Sequence, residues 1–175
     1  MVKKTKEQRH KELLQCICAV PRKMTLIHGI ENMTEFLLYH LAAPECFNFS
    51  KAAYLVDNPD FDQFKGVVGF DKQHSFDKDH WKSPEQFSQH MRQGDFNKKV
   101  RSLGKKSHKR SQQDDQQLIN ALVEELELEN PGYHSWKMKY DNHGVLLFEF
   151  NDQEDQEMDQ ALQDSLYLFG FCPVF

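Results

Sequence analysis

The amino-acid sequence predicts an α/β protein of the α+β type, in which helices cover an antiparallel sheet. Two pairs of strand-like segments each surround a short turn, and helical segments precede, separate and follow these pairs. A doubly wound parallel sheet would instead require strands and helices to alternate one by one. The 175 residues, 39% of them hydrophobic, are enough to bury the core of a single domain spanning residues 1–175.

Two helices are predicted at the start of the chain. Residues 5–19 carry an apolar stripe at helical spacing, and Pro21 is expected to interrupt that helix. Residues 31–41 carry a second stripe, which Pro44 should end. The two stripes consist of Leu13, Leu14, Ile17 and Cys18, and of Met33, Phe36, Leu37 and His40.

The first strand pair is "KAAYLVD" (51–57) and "FKGVVGF" (64–70), joined by the acidic turn "DNPDFD". Asn, Pro and Asp each favour a chain reversal, so a hairpin is predicted. Gly66 and Gly69 interrupt the second strand. Glycine in a strand marks a bulge, a bend, or a place where another group packs close to the backbone.

A third helix is predicted from Ser83 to about Arg92, with Pro84 at its first position and Gly94 after its end. The chain then becomes basic, and glycine and serine in this segment predict a flexible loop around residues 95–113. Its cations are Lys98, Lys99, Arg101, Lys105, Lys106, Lys109 and Arg110.

The second half begins with a helix from Asp114 and Asp115 to Asn130, with an apolar stripe that includes Leu122 and Leu126. Residues 134–140 alternate as a half-buried strand would, with His134, Trp136, Met138 and Tyr140 on one face.

The turn "DNHG" (141–144) leads into "VLLFEF" (145–150), which is apolar enough for a central strand covered on both sides. A last helix is predicted at 152–168, and the apolar tail 169–175 should pack down or add an edge strand.

The chain resembles a GAF domain over about Lys11 to Gly170. The likeness rests on an entry helix followed by "FSKAAYLVDNPDFDQFKGVVGFD", on the helix that carries Trp81, and on "YHSWKMKYDNHGVLLFEF" as a second hairpin before a closing helix. PAS domains have a related architecture.

The resemblance implies five to six antiparallel strands, helices packed on one face with the terminal helices together, and a pocket on the other face. It also implies a non-catalytic signal-transduction module that binds a small molecule or a partner protein, or that forms a homodimer through its terminal helices. Ligand occupancy would then alter the packing of those helices. Neither the ligand nor a cofactor is defined, and the aromatic residues can line the pocket or form the core. The pocket candidates are Tyr54, Phe70, Trp81, His134 and Trp136.

An alternative function is nucleic-acid association through the basic segment 98–110, and a further use of this loop is closure over an anionic ligand. Phosphate contacts would come from Lys105, Lys106, Lys109 and Arg110. The net charge of −5 and the lack of interleaved aromatic residues disfavour nucleic acid as a partner.

The second alternative is an enzyme, because some stand-alone GAF proteins are free methionine sulfoxide reductases. That chemistry needs cysteines in the middle of the chain, whereas here none lies between Cys46 and Cys172, so the position of the cysteines disfavours it. The four cysteines, which include Cys16 and Cys18, are expected to be reduced thiols.

No metal site is predicted, although His74 and His80 lie near Asp71, Asp77 and Asp79. No run of eighteen apolar residues is present, so a cytoplasmic protein without a membrane span is expected.

Overall fold

The computed structural model of the protein describes residues 5–27, 33–111, 115–151 and 159–172. Its strands form one sheet in the order β3-β2-β1-β5-β4, and every neighbouring pair is antiparallel. The predicted α+β class with an antiparallel sheet is therefore confirmed. The strands are β1 (Phe49–Asn58), β2 (Gln63–Asp71), β3 (Gly104–Lys105), β4 (Gly132–Lys137) and β5 (His143–Phe150).

Helices surround this sheet in the predicted order. Within the described ranges, none of them is both long enough and apolar enough to cross a bilayer. The helices are α1 (Lys6–Leu26), α2 (Met33–Ala42), α3 (Pro84–Gln93), α4 (Asp95–Arg101), α5 (His108–Ser111), α6 (Asp115–Leu126) and α7 (Asp159–Leu166).

The helices cover both faces of the sheet. On one face, here called the terminal-helix face, α1, α2, α3 and α7 share a core with Tyr54, Val68 and Phe148. On the opposite α4–α6 face, α4 and α6 pack on Leu55 and Leu147. The expectation that the helices pack on one face only is therefore wrong. Helices cover both faces because β1 and β5 carry apolar side chains on both sides, and both sides must be removed from water.

The glycines of β2 are explained by α4. A Cβ atom on Gly66 would lie 1.8 Å from the carbonyl oxygen of Val100, and one on Gly69 would lie 2.8 Å from Val100 Cγ2. The register of β1 and β2 also shifts between Tyr54 and Leu55. Two of the three predicted meanings of these glycines, a bulge in the ladder and a close approach to the backbone, are therefore present.

Helix α1 continues through Pro21 to Leu26, so the predicted interruption is wrong. Thr5 and Gln8 form a capping box at its start. Pro21 itself is exposed, whereas Val20 and Met24 are buried on both sides of it in the sequence. Tertiary packing of these neighbours holds the helix together where the proline removes a backbone hydrogen bond.

The basic segment is more ordered than predicted. Residues 95–101 form α4, residues 104–105 pair with β2 as the edge strand β3, and 108–111 form α5. The flexible loop predicted around 95–113 is therefore wrong over these stretches, and residues 112–114 lie outside the described part of the chain. Val100 is fully buried against the sheet, which fixes α4 in place.

Strand β4 ends at Lys137, earlier than predicted. Tyr140 has φ 58° and ψ 39° in a 3₁₀ turn and is 83% exposed, so it does not continue the face that holds Trp136. The reversal is closed by the Met138 amide, which donates to the Asn142 carbonyl over 2.7 Å.

The last helix is described from Asp159, and its predicted first residues, 152–158, lie outside the described ranges. Leu162 and Leu166 are buried, as expected from the predicted inner face. A 3₁₀ helix at Tyr167–Phe171 follows and packs Phe169 into the core, so these residues form no edge strand. Residues 173–175 lie outside the description.

Candidate functional site

The predicted aromatic pocket is a packed core in this structure. The rings of Tyr54 and Trp136 are stacked with centroids 5.6 Å apart, and Phe169 lies 4.4 Å from Tyr54. All three side chains are buried on the terminal-helix face. Tyr54 and Trp136 therefore contribute to packing, because their faces are occupied by other rings.

The remaining pocket candidates do not converge on them. His134 places Nε2 2.8 Å from Asp159 Oδ1 of α7 and lies over the Phe148 ring. Phe70 contacts the edge of the Tyr39 ring, and Trp81 belongs to a separate aromatic group around His80.

The two histidines considered for metal binding have different surroundings. The ring of His74 stacks on that of His90 at 4.0 Å, and each Nε2 lies within 3.2 Å of the other residue's carbonyl oxygen. His80 is buried among Phe36, Tyr39 and other rings, and this burial lowers its pKa to about 3. Within the described ranges, no three His, Cys, Asp or Glu side chains are grouped closely enough to hold a metal ion.

An open cavity of about 210 Å³ lies elsewhere, between the end of β2 and the junction of α3 with α4. We call it the His74 cavity. Phe70 is the one pocket candidate from the sequence that contributes to its wall. The lining residues are Gly69, Phe70, Asp71, Gln73, His74, Met91, Gly94, Asp95, Phe96 and Asn97.

Asn97 fixes the geometry of the His74 cavity. Its buried side chain accepts a hydrogen bond from the Gly69 amide over 2.8 Å and donates one to the Met91 carbonyl over 2.9 Å. It thereby joins β2 to the end of α3. Asn97 could not be recognised from the sequence, because an asparagine in a basic segment carries no local sign of burial.

A second, much smaller cavity of about 20 Å³ lies at one end of the α4–α6 face. Asp57 Oδ2 accepts a hydrogen bond from the Lys109 amide over 2.8 Å, and His108 Nε2 lies 2.8 Å from Asp115 Oδ1. Asp57 Oδ1 and His143 Nδ1 are buried without a hydrogen-bond partner among the described protein atoms. The volume suits about one water molecule, which could satisfy such groups.

Two of the four cations proposed for phosphate contact are paired with carboxylates. Lys105 lies 2.5 Å from Glu125, and Lys109 lies 3.1 Å from Asp115, whose pKa is lowered by its hydrogen bonds from His108 and Lys109. Lys106 is exposed, and the Arg110 side chain lies outside the description. In the same segment, Lys98, Lys99 and Arg101 also form ion pairs, with Asp95, Glu127 and Glu35.

The cysteines are brought together in a way that the sequence did not indicate. Cys16 of α1 is half-buried, and its Sγ lies 3.4 Å from Nε2 of His40 in α2. The buried Cys46 thiol is within hydrogen-bonding reach of Cys16, and both are free thiols. Cys18, on the same helix as Cys16, is exposed. Cys16 and His40 are 24 positions apart in the sequence, which explains why no short motif revealed this contact.

Comparisons of the chain with protein-family models, curated proteins and solved structures find no match. The resemblance to a GAF domain therefore stays a prediction. Function has to be inferred from the geometry of the chain itself, since a fold alone does not define an activity.

Proposed function

We propose that the protein is a non-catalytic regulatory module that binds a small polar molecule in the His74 cavity. The observation that carries this proposal is the open volume of about 210 Å³ between β2 and the α3–α4 junction. This keeps the GAF-type role implied by the sequence but moves the ligand from the aromatic core to the outer part of the sheet.

The walls of the His74 cavity favour a ligand with hydrogen-bond donors. Asp71 and Asp95 contribute carboxylates, and no lysine or arginine is found among the described lining residues. Asn97 already uses its amide oxygen and nitrogen within the protein, so recognition falls on Asp71, Gln73, His74 and Asp95. Asp95 would exchange its exposed ion pair with Lys98 for the ligand, and an exposed pair of this kind is weak. The volume lies below the range of about 300–1,000 Å³ for drug-sized ligands, which points to a metabolite with an amino or amide group.

The surroundings of the cavity supply a physical connection to the terminal helices. Asn97 and Arg101 are one turn apart on α4, and Arg101 Nη1 lies 2.6 Å from Glu35 Oε1 of α2. Helix α2 in turn packs against α1. In this proposal, a ligand that shifts α4 changes the position of α2 and, through it, of α1.

Nucleic-acid association is less well supported, since five of the seven cations in the basic segment form ion pairs with carboxylates. Exposed ion pairs are weak, so phosphate could compete with them, but no Phe, Tyr or Trp lies between these cations in residues 98–110 to stack on bases. We therefore propose the binding of a small molecule.

The test uses a variant that fills the cavity. Gln73 is exposed and lines the His74 cavity, so Gln73→Trp should occupy the volume without removing a backbone hydrogen bond. Gln117→Trp makes the same chemical change on the exposed side of α6 and is the matched control. Native mass spectrometry of freshly purified protein is combined with thermal unfolding in the presence of a panel of amino acids, amines and amides.

We expect at least one compound to raise the unfolding temperature of the wild type and of the Gln117→Trp control. The same compound should not raise the unfolding temperature of Gln73→Trp. A ligand at one hundred times its Kd adds about 2.7 kcal/mol of stability. In a domain of this size, that corresponds to roughly 5–10 °C. The proposal is wrong if no compound is bound by the wild type, or if every bound compound is retained equally by Gln73→Trp.

A further inference from the structure

We propose that Cys16 is a peroxide-reactive thiolate and that Cys46 is its resolving thiol, so that the two form a reversible disulfide between α1 and the turn after α2. This inference is independent of the His74 cavity. It rests on the hydrogen bonds that converge on the Cys16 sulfur, on the nearby second thiol, and on the different exposure of the two cysteines.

The proton position on His40 follows from its neighbour. Trp81 Nε1 lies 3.3 Å from His40 Nδ1, and an indole N–H can only donate. Neutral His40 must therefore accept at Nδ1 and carry its proton on Nε2. That Nε2–H lies 3.4 Å from the Cys16 sulfur and 3.4 Å from the Cys16 backbone carbonyl oxygen, so the two acceptors share it.

Cys16 consequently receives hydrogen bonds rather than giving one to His40. The Cys46 thiol is a second donor to the same sulfur, and Lys23 is held nearby, with Nζ 5.5 Å from the centroid of the Trp81 ring. Hydrogen bonds from two donors and a nearby ammonium group all favour a negative charge on sulfur.

The acidities of the two thiols differ in the direction that this geometry requires. The pKa of Cys16 is lowered, first by the hydrogen bond from Cys46 and then by His40 and Lys23, although burial acts against this. The pKa of Cys46 is raised by its hydrogen bond to Cys16 and by its burial. Cys16 is also the more accessible of the two, since Cys46 is fully buried.

Other ionisable groups around the pair do not reverse this order. Arg9 donates to the Cys46 carbonyl oxygen and acts to lower the pKa of Cys46, whereas Glu45 acts to raise it. His80 lies near His40, and its own lowered pKa keeps it neutral above about pH 3. The negative charge therefore forms on Cys16.

The oxidant is a hydroperoxide, ROOH. The Cys16 thiolate attacks the terminal oxygen, an S–O bond forms, the O–O bond breaks, and the alkoxide leaves as ROH after taking a proton. The Cys46 sulfur then attacks the sulfenic acid of Cys16. An S–S bond forms, the S–O bond breaks, and hydroxide leaves as water with the Cys46 proton. In sum, two thiols and ROOH give one disulfide, ROH and H₂O, and the thiols lose two electrons and two protons.

The first experiment treats the reduced protein with hydrogen peroxide and maps the products by mass spectrometry. Trypsin does not cut between Cys16 and Cys18, so the protein carries Cys18→Ser to make the assignment unique. We expect a tryptic cross-link between the peptides of Cys16 and Cys46 and a chain that has lost two hydrogens. A product linked between chains, or one that contains Cys172 instead, would overturn the proposal.

The second experiment separates the two thiols. In Cys46→Ser the reaction should stop at the sulfenic acid of Cys16, which the cyclic dione dimedone traps as a stable adduct. Cys16→Ser should yield neither adduct nor disulfide. If Cys46→Ser gives no more dimedone adduct than the wild type, Cys46 is not the resolving thiol.

The third experiment needs no substitution and therefore does not depend on the folding of a variant. Wild-type protein is alkylated with limiting iodoacetamide at pH 6 to 8, and fragment ions distinguish Cys16 from Cys18. Exposure alone favours Cys18, whereas a thiolate at Cys16 predicts faster modification of Cys16, persisting below the ordinary thiol pKa of about 8.5. Preferential modification of Cys18 at all these pH values would overturn the proposal.

The positioning role of Trp81 is tested by Trp81→Phe, which removes the donor that holds the His40 proton on Nε2. We expect oxidation of Cys16 to slow about tenfold, as for the loss of one hydrogen bond to a charged sulfur. Trp136→Phe, a matched change at a buried tryptophan of the same sheet face, should leave the rate unchanged. Equal rates in the two variants would show that His40 is not held in the inferred tautomer.

Discussion

At the scale of single residues, the approach of α4 to β2 leaves no room for a side chain at Gly66. The strand and helix touch through backbone atoms at this point, because the Val100 carbonyl occupies the position that a Cβ atom would take. A backbone group cannot rotate away as a side chain can. The close packing of the two backbones therefore requires glycine at position 66.

We predict that Gly66→Ala lowers the free energy of unfolding by about 3 kcal/mol, since accommodating the methyl group requires α4 to move. Gly104→Ala is the matched control. No atom lies within 4 Å of a Cβ at Gly104, so we expect a change of roughly 0.5 kcal/mol, which can even be stabilising. Urea unfolding measures both, and a similar effect of the two changes would contradict the close approach.

Glu35 gives a prediction about pH. The residue is 2% exposed, and burial raises the pKa of its carboxyl despite the opposing influence of Arg101 and Asn97. The folded protein therefore holds this proton more tightly than the unfolded chain does. The resulting stability is fully present below the ordinary pKa of about 4.3 and is lost as the pH rises through the raised value.

The measurement compares the wild type with Glu35→Gln in urea unfolding at pH 4 and pH 7. We expect the stability of the wild type relative to the variant to decrease between these two pH values, because only the wild type must bury a charge at pH 7. A constant difference, or an increase with pH, would contradict this assignment of the Glu35 carboxyl.

At the scale of elements, α1 shows how packing overrides a local signal. Proline disfavours the helix interior, yet α1 extends five residues beyond Pro21 because Val20, Met24 and their neighbours are buried against the core. The helix thus contains an internal weak point that the rest of the fold stabilises. The same helix carries Cys16, so its position also determines the thiol site.

We predict that Pro21→Ala raises the free energy of unfolding by about 1–3 kcal/mol, because it restores a backbone donor inside the helix. Pro84 at the first position of α3 is the control, where no such donor is missing from the helix. Pro84→Ala should change stability by less than about 0.5 kcal/mol. Thermal or urea unfolding measures the stability of the two variants. Equal changes in the free energy of unfolding would contradict this account of α1.

The basic segment is a second case at this scale. Its serines, glycine and cations have the composition of a solvated loop, but Val100 and Leu103 are buried and anchor it to the α4–α6 face. Two apolar side chains among many polar ones are enough to hold the segment on the sheet, because both are removed from water almost completely. The cations remain at the surface, where they pair with carboxylates.

At the scale of the whole molecule, the sheet lies between two helical layers, and most of the apolar stripes are used within the chain. The terminal helices nevertheless expose some large hydrophobic side chains, such as Leu14 at 47% and Leu26 at 78% in α1. Tyr167 and Phe171, which follow α7, are also exposed. The homodimer predicted from the terminal helices stays a prediction, and these residues are the surface available to it.

We predict that light scattering coupled to size exclusion gives twice the chain mass of 20.7 kDa at high protein concentration. Leu14→Glu should shift this dimer toward the monomer, because it places a charge on the exposed side of α1. Phe61→Glu changes a residue that is 79% exposed in the β1–β2 turn and should have no effect. A monomeric wild type at all concentrations would contradict the dimer.

The sequence alone determined the class of this fold, its two hairpins, most of its helices and the special role of the β2 glycines. These features follow from the local periodicity of apolar residues and from turn-forming residues, which act between residues close in the chain. Only the tertiary structure decided that both faces of the sheet are covered, that Tyr54 and Trp136 pack on each other, and that a cavity forms around Asn97. It likewise brought Cys16 to His40 and Cys46. Such contacts depend on how whole helices and strands pack. Residues that are distant in the chain form no short sequence pattern from which their contact could be predicted.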